Sequence, residues 1–167
     1  MAQRLDEVKI DNKRPWSKKH WRSIEQYYQR APYFEEHAPW LGELYSRPWT
    51  TLNDLNRAML TEIITRLGID TPIVYASALS VPGEATERLI NLIQAVQGTA
   101  YLSGAHAVET YLDGEALASA GIDLAIQTWT PPVYPQCSEP FLPELSILDL
   151  MMNCGPESLA ILRRAGA

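Results

Sequence analysis

Between Thr71 and Trp129 the chain alternates short β-rich runs with segments of helical period, and this alternation constrains the fold more than any other feature. "TPIVYAS" (71–77), "TAYLSG" (99–104) and "IDLAIQTW" (122–129) read as strands. The first two are separated by "VPGEATERLINLIQAVQG", which places Ala85, Leu89, Ile93 and Val96 on one helical face. The last two are separated by a helical segment around Glu115 to Ala120 that ends at Gly121. Strand, helix, strand, helix, strand at this spacing predicts right-handed crossovers and a small parallel sheet. "DEVKI" near the N-terminus is a candidate for an additional edge strand.

The first third has a different grammar. Residues 14–31 read as a helix with Trp16, His20, Ile24, Tyr27 and Ala31 in one stripe, Pro15 in its first turn and Pro32 ending it. A second helix is expected over 32–45, with Tyr33, His37, Leu41 and Leu44 on one face and a kink at Pro39. The third, over 51–67, carries Leu52, Leu55, Met59, Ile63 and Leu67; Thr51 with Asp54 resembles a capping box, and Gly68 stands just past the end. After the sheet region comes "TPPVYPQCSEPFLPELS", a loop whose five prolines rule out regular structure. Helices over 145–152 and 156–164 close the chain. The expected fold is α/β, one domain over 1–167, with a mainly helical part (1–67) and an α/β part (68–167).

Composition narrows the classes of function. The chain is 46% hydrophobic and 20% charged, ordinary for a globular domain. No apolar run is long enough to span a membrane, and the first residues lack a secretory pattern, so a cytoplasmic location is expected. Two cysteines, Cys137 and Cys154, are expected as free thiols, and the scattered His20, His37 and His106 show no metal-ligand spacing. Net charge is −6, but residues 1–30 hold eight Lys/Arg against four Asp/Glu, so the remainder is strongly acidic. That distribution argues against a nucleic-acid binder, which needs a broad cationic surface.

Ligands of open parallel sheets bind beyond the carboxyl ends of the strands. Ser77, Ser103-Gly104 and Trp129-Thr130 would share that rim, with His106 beside it as a possible acid or base. The turn is neither a P-loop nor GxGxxG, and the chain has no GxSxG elbow. His20 lies among apolar neighbours, where a core histidine competes with a substrate contact. "LSILDLMMNCG" is apolar nearly all round, yet Ser146, Asp149 and Asn153 recur at i, i+3 and i+7. A buried carboxylate needs polar partners. Either Asp149 holds the proline-rich loop by its backbone, or the stripe lines a pocket. Cys154 has no base beside it locally, which argues against a nucleophile.

Taken together, "KKHWRSIEQYYQRAPYFE", "ERLINLIQAVQGTAYLSG", "YLDGEALASAGIDL", "PPVYPQ" and "LSILDLMMNCGPES" resemble the WbqC-like protein family. The resemblance implies a link to bacterial surface-polysaccharide (O-antigen) biosynthesis, and a transferase or ligase acting on a nucleotide-activated sugar or similar precursor. It implies Ser103, Gly104, Tyr134, Gln136, Ser146, Asp149 and Asn153, with His20, as substrate-binding residues, and Tyr134 and Trp129 as rings that stack on a sugar or base. It names no catalytic residue, cofactor or metal. Two features depart from the family pattern. The usual N-terminal module, with its QPxYxPW-like stretch, is not seen here, and Ala105-His106-Ala107 follows the Ser-Gly turn in place of Gly-Pro or similar small residues. The alternative reading is a non-catalytic binding or assembly subunit, or an inactive short form, acting as a homo-oligomer or beside a partner subunit.

Overall fold

A computed structural model of the chain describes residues 3–166. The described backbone forms two compact units, one of residues 3–70 with 131–164, the other of residues 71–130 with 165–166.

In the first unit, a 3-10 turn at Leu5–Glu7 leads into an extended segment. There Ile10 N–H donates to the Thr50 carbonyl at 3.0 Å and Leu52 N–H donates to the Val8 carbonyl at 2.9 Å. "DEVKI" is therefore not an edge strand of the parallel sheet: its Lys9 forms an isolated antiparallel bridge with Thr51.

Helix α1 spans Trp16–Tyr28, α2 Phe34–Ser46 and α3 Leu52–Leu67. The expected apolar stripe of α1 holds in part: Trp16, Ile24 and Ala31 pack in the core of this unit. Tyr27 is 74% exposed, and Trp21 and Tyr28 join the packed face beside them. Trp21 lies against Gly42 of α2, where no side chain intervenes. Helix α2 runs through Pro39 and buries Phe34, His37, Trp40, Leu41 and Leu44. Helix α3 starts as anticipated. Thr51 Oγ1 accepts the Asp54 N–H at 3.1 Å and its hydroxyl donates to Asp54 Oδ2 at 2.7 Å, while Gly68 ends the helix at φ 69°.

The second unit holds α4 (Ala85–Ala95), β1 (Ala100–Gly104), α5 (Ala105–Thr110), α6 (Gly114–Ser119) and β2 (Asp123–Gln127). The two strands pair in parallel, with Ala100 opposite Asp123 and Gly104 opposite Gln127. The sheet has two strands among the described residues, not three. "TPIVYAS" forms no strand, and its Ile73 and Val74 are exposed, with a 3-10 turn at Ala76–Ala78. β-propensity reflects fit to a half-buried pleated surface, and this run has no ladder to fit. Ile93, Leu112, Leu117 and Ile122 form the core of this unit.

The chain returns to the first unit through the proline-rich loop. Helix α7 (Ile147–Cys154), a 3-10 turn (Gly155–Glu157) and α8 (Ser158–Ala165) follow. Every residue from Asp149 to Cys154 is buried. Met152 joins Ala31, Phe34, Trp40, Leu41, Leu44 and Leu55 in one core, and its carbonyl accepts the Tyr33 N–H at 3.0 Å. Gly155, at φ +46°, lies against the Tyr33 ring, leaving no room for a Cβ.

Candidate functional site

The polar stripe of α7 resolves into two jobs. Ser146 caps the helix: its Oγ accepts the Leu148 N–H at 3.3 Å and its carbonyl accepts the Asp149 N–H at 2.8 Å. Asp149 and Asn153, one turn apart, face the proline-rich loop. Asp149 is 4% exposed, and its Oδ2 accepts both the Tyr134 hydroxyl and a Gln136 amide hydrogen, each at 2.9 Å. Gln136 also donates to the Leu142 carbonyl at 2.8 Å and accepts the Leu142 N–H at 2.8 Å. Asn153 Oδ1 accepts the Cys137 N–H at 2.7 Å, and its amide donates to the Asp149 carbonyl at 2.8 Å. Tyr134, Gln136, Asp149 and Asn153 thus come together as a clamp between loop and helix. Of the two readings left open for the stripe, it holds the loop: the Asp149 carboxylate grips loop side chains and Asn153 grips the loop backbone at Cys137.

Electrostatics follow from this burial. Burial, then the bond to Asp149, pushes the Tyr134 phenol up to about 12. Burial and the Asp149 charge also raise Tyr28, a partner of that carboxylate which the sequence reading missed. Both phenols remain protonated donors at neutral pH. Burial, then Asp149, raises the Cys154 thiol as well, which leaves it a poor nucleophile.

Ser103 and Gly104 belong to the other unit, at the end of β1. Ser103 is buried and its hydroxyl donates to the Gly104 carbonyl at 3.2 Å. Gly104 has ordinary extended angles (φ −71°, ψ 149°) and open space where a Cβ would stand, so nothing within the fold demands glycine there. The chain enters α5 at Ala105, with His106 exposed in its first turn.

Of the predicted site residues, His20 lines an apolar cavity. It is exposed rather than a core histidine. The cavity, an open cleft of about 400 Å³, is lined by the 8–10 segment, α1, Tyr45 of α2, and Leu52, Leu55, Asn56 and Met59 of α3. Its size lies within the range of small-molecule sites. Trp16, His20 and Tyr45 form an edge-to-face triangle with ring centroids 5.6 Å, 6.2 Å and 6.0 Å apart. Trp16 is held by its indole N–H, which donates to Asn12 Oδ1 at 3.1 Å, and Asn12 in turn donates to the Trp49 carbonyl at 2.8 Å. Lys9 and Asn56 are the polar side chains of the wall beside His20, and neither has an ion pair or side-chain hydrogen bond among the described residues. Sequence reasoning missed Trp16, Tyr45, Lys9 and Asn56. The available signal was Trp16 and His20 at i, i+4, which share a helix face.

No group of three or more His, Cys, Asp or Glu among the described residues is placed to hold a metal ion, and no helix is long and apolar enough to cross a membrane. A family model described as the WbqC-like protein family matches residues 1–161. The chain belongs to the WbqC-like family. The uncharacterized protein Rv1507c of Mycobacterium tuberculosis (strain ATCC 25618 / H37Rv) is 36% identical over 166 residues, which cover 96% of this chain and 70% of that protein. No solved structure matches.

Proposed function

We propose that this WbqC-like protein acts in bacterial surface-polysaccharide biosynthesis as a transferase or ligase on a nucleotide-activated sugar or similar precursor, bound in the Trp16–His20–Tyr45 cavity. One observation carries the reading: apolar walls and an aromatic triangle surround a cavity with Lys9 and Asn56 in its wall. Rings of this kind stack on a base or on the apolar face of a sugar. An unpaired ammonium meets a phosphate, and an amide reads the edge of a base. The Asp149 clamp spends its acceptor capacity on Tyr134, Gln136 and Tyr28, so its role in this reading is to position the loop.

The test is a thermal melt of the chain with nucleotides and nucleotide-sugars, repeated with Trp16→Ala. A ligand at a hundred times its Kd adds about 2.7 kcal/mol to stability, a readily visible shift. The expected result is a rise with one ligand class that Trp16→Ala abolishes. A melt that no member of the panel moves overturns the reading.

A separate observation favours the alternative of a non-catalytic assembly subunit. On the two-stranded sheet, Leu102 is 62% exposed and Ile126 49%, whereas parallel sheets are normally covered on both faces. Light scattering decides it: a strict monomer that binds a nucleotide-sugar excludes the assembly role.

A further inference from the structure

Helix α1 carries a second concave surface, on a face distinct from that of Trp16 and His20. Arg22, Glu25, Gln26 and Gln29 recur at i, i+3, i+4 and i+7, and with Phe34 they line a groove of about 470 Å³. Arg22 and Glu25 stand at the spacing that elsewhere joins Arg14 to Asp11 at 3.6 Å, yet no ion pair forms between them. Among the described residues none of the four polar side chains has a hydrogen-bond partner. The groove therefore presents a guanidinium, a carboxylate and two amides, all with their donors and acceptors open.

We propose that this groove is a binding site for a neutral saccharide. One cation and one anion cancel, so neither a phosphate nor a cationic ligand gains net attraction. What remains is a dense mixture of donors and acceptors, and a sugar hydroxyl both donates and accepts. The paired amides and the guanidinium fork suit vicinal hydroxyls, which sit side by side in a pyranose. Phe34, largely buried in the core, leaves only a narrow ring edge at the groove for the C–H face of such a ring.

The experiment is an NMR titration of the whole chain with methyl glycosides and disaccharides of glucose, galactose and N-acetylglucosamine, followed at the Gln26 and Gln29 side-chain amides and the Arg22 Nε–H. Saturable shifts confined to these groups are expected, in the millimolar range usual for single sugars. In the doubly substituted Arg22→Ala, Gln26→Ala chain, affinity should fall at least about tenfold, as expected for losing a charged hydrogen bond. Alanine favours the helix, so α1 is retained, and the response of the Trp16 indole to nucleotide-sugars should be unchanged. That response tests the aromatic cavity separately, so failure of one site is distinguishable from failure of the other. The proposal is overturned if no neutral saccharide shifts these groups, if the shifts survive in the double variant, or if phosphate or glucuronate binds there in preference.

Discussion

Tyr134→Phe removes one hydroxyl and leaves the ring, whose edge-to-face contact with Phe141 (centroids 5.7 Å apart) is preserved. The lost group donates to a buried carboxylate at 2.9 Å. A hydrogen bond to a charged partner contributes about 1.5–3 kcal/mol net, and the half-buried position of Tyr134 places the cost near the lower end of that range. Asp149→Ala removes the acceptor itself and strands the Tyr134, Gln136 and Tyr28 donors together. Each unsatisfied buried donor costs about 1 kcal/mol or more, so about 3 kcal/mol is expected in all. Urea unfolding measures both variants, and the double variant completes a thermodynamic cycle. Once Asp149 is gone, Tyr134→Phe should cost almost nothing further. Equal cost in both backgrounds would show that ring packing, not the bond, holds the loop, and the clamp would be refuted. The same network sets a pH limit. Tyr134 has a folded-state value raised from 10.0 to about 12. The stability it adds is thus fully present below pH 10.0 and is lost as pH rises through that window. In Asp149→Ala this alkaline loss should be smaller.

Gly155→Ala forces a side chain into a φ of +46° and against the Tyr33 ring. Backbone strain alone costs about 1–3 kcal/mol, and the overlap adds to it, so a lower urea midpoint is expected; an unchanged midpoint refutes the packing described for α7. His37 is buried and accepts the Trp40 indole N–H at 3.4 Å on Nδ1. Burial, outweighing the nearby Glu36 charge, lowers its pKa. Stability from the neutral ring is present above the ordinary imidazole range and is lost as pH falls through the lowered value. Unfolding midpoints measured across mildly acidic pH should fall more steeply in the wild type than in His37→Gln.

Local chemistry was legible in the sequence wherever a residue acts on its own chain neighbours. Thr51 and Asp54 start α3 and Gly68 ends it, because a cap needs only a side chain within one turn or a glycine free to reach positive φ. The parallel pairing of β1 with β2 was also legible, since the segment joining them is too long for a hairpin. The burial of α7 followed from its apolar circumference. Contacts between distant residues were not readable. "TPIVYAS" has strand composition but no strand, because a ladder requires a partner that propensity cannot name. The packed face of α1 also takes in Trp21, which lies against Gly42 of α2, a contact that the helical period could not name. Asp149 was marked as needing polar partners, but only the folded chain brings Tyr28 and Tyr134 to it from separate parts of the sequence. The aromatic cavity likewise joins residues of three helices and an extended segment. Sequence period reports which side of an element is apolar, whereas tertiary packing decides what that side meets.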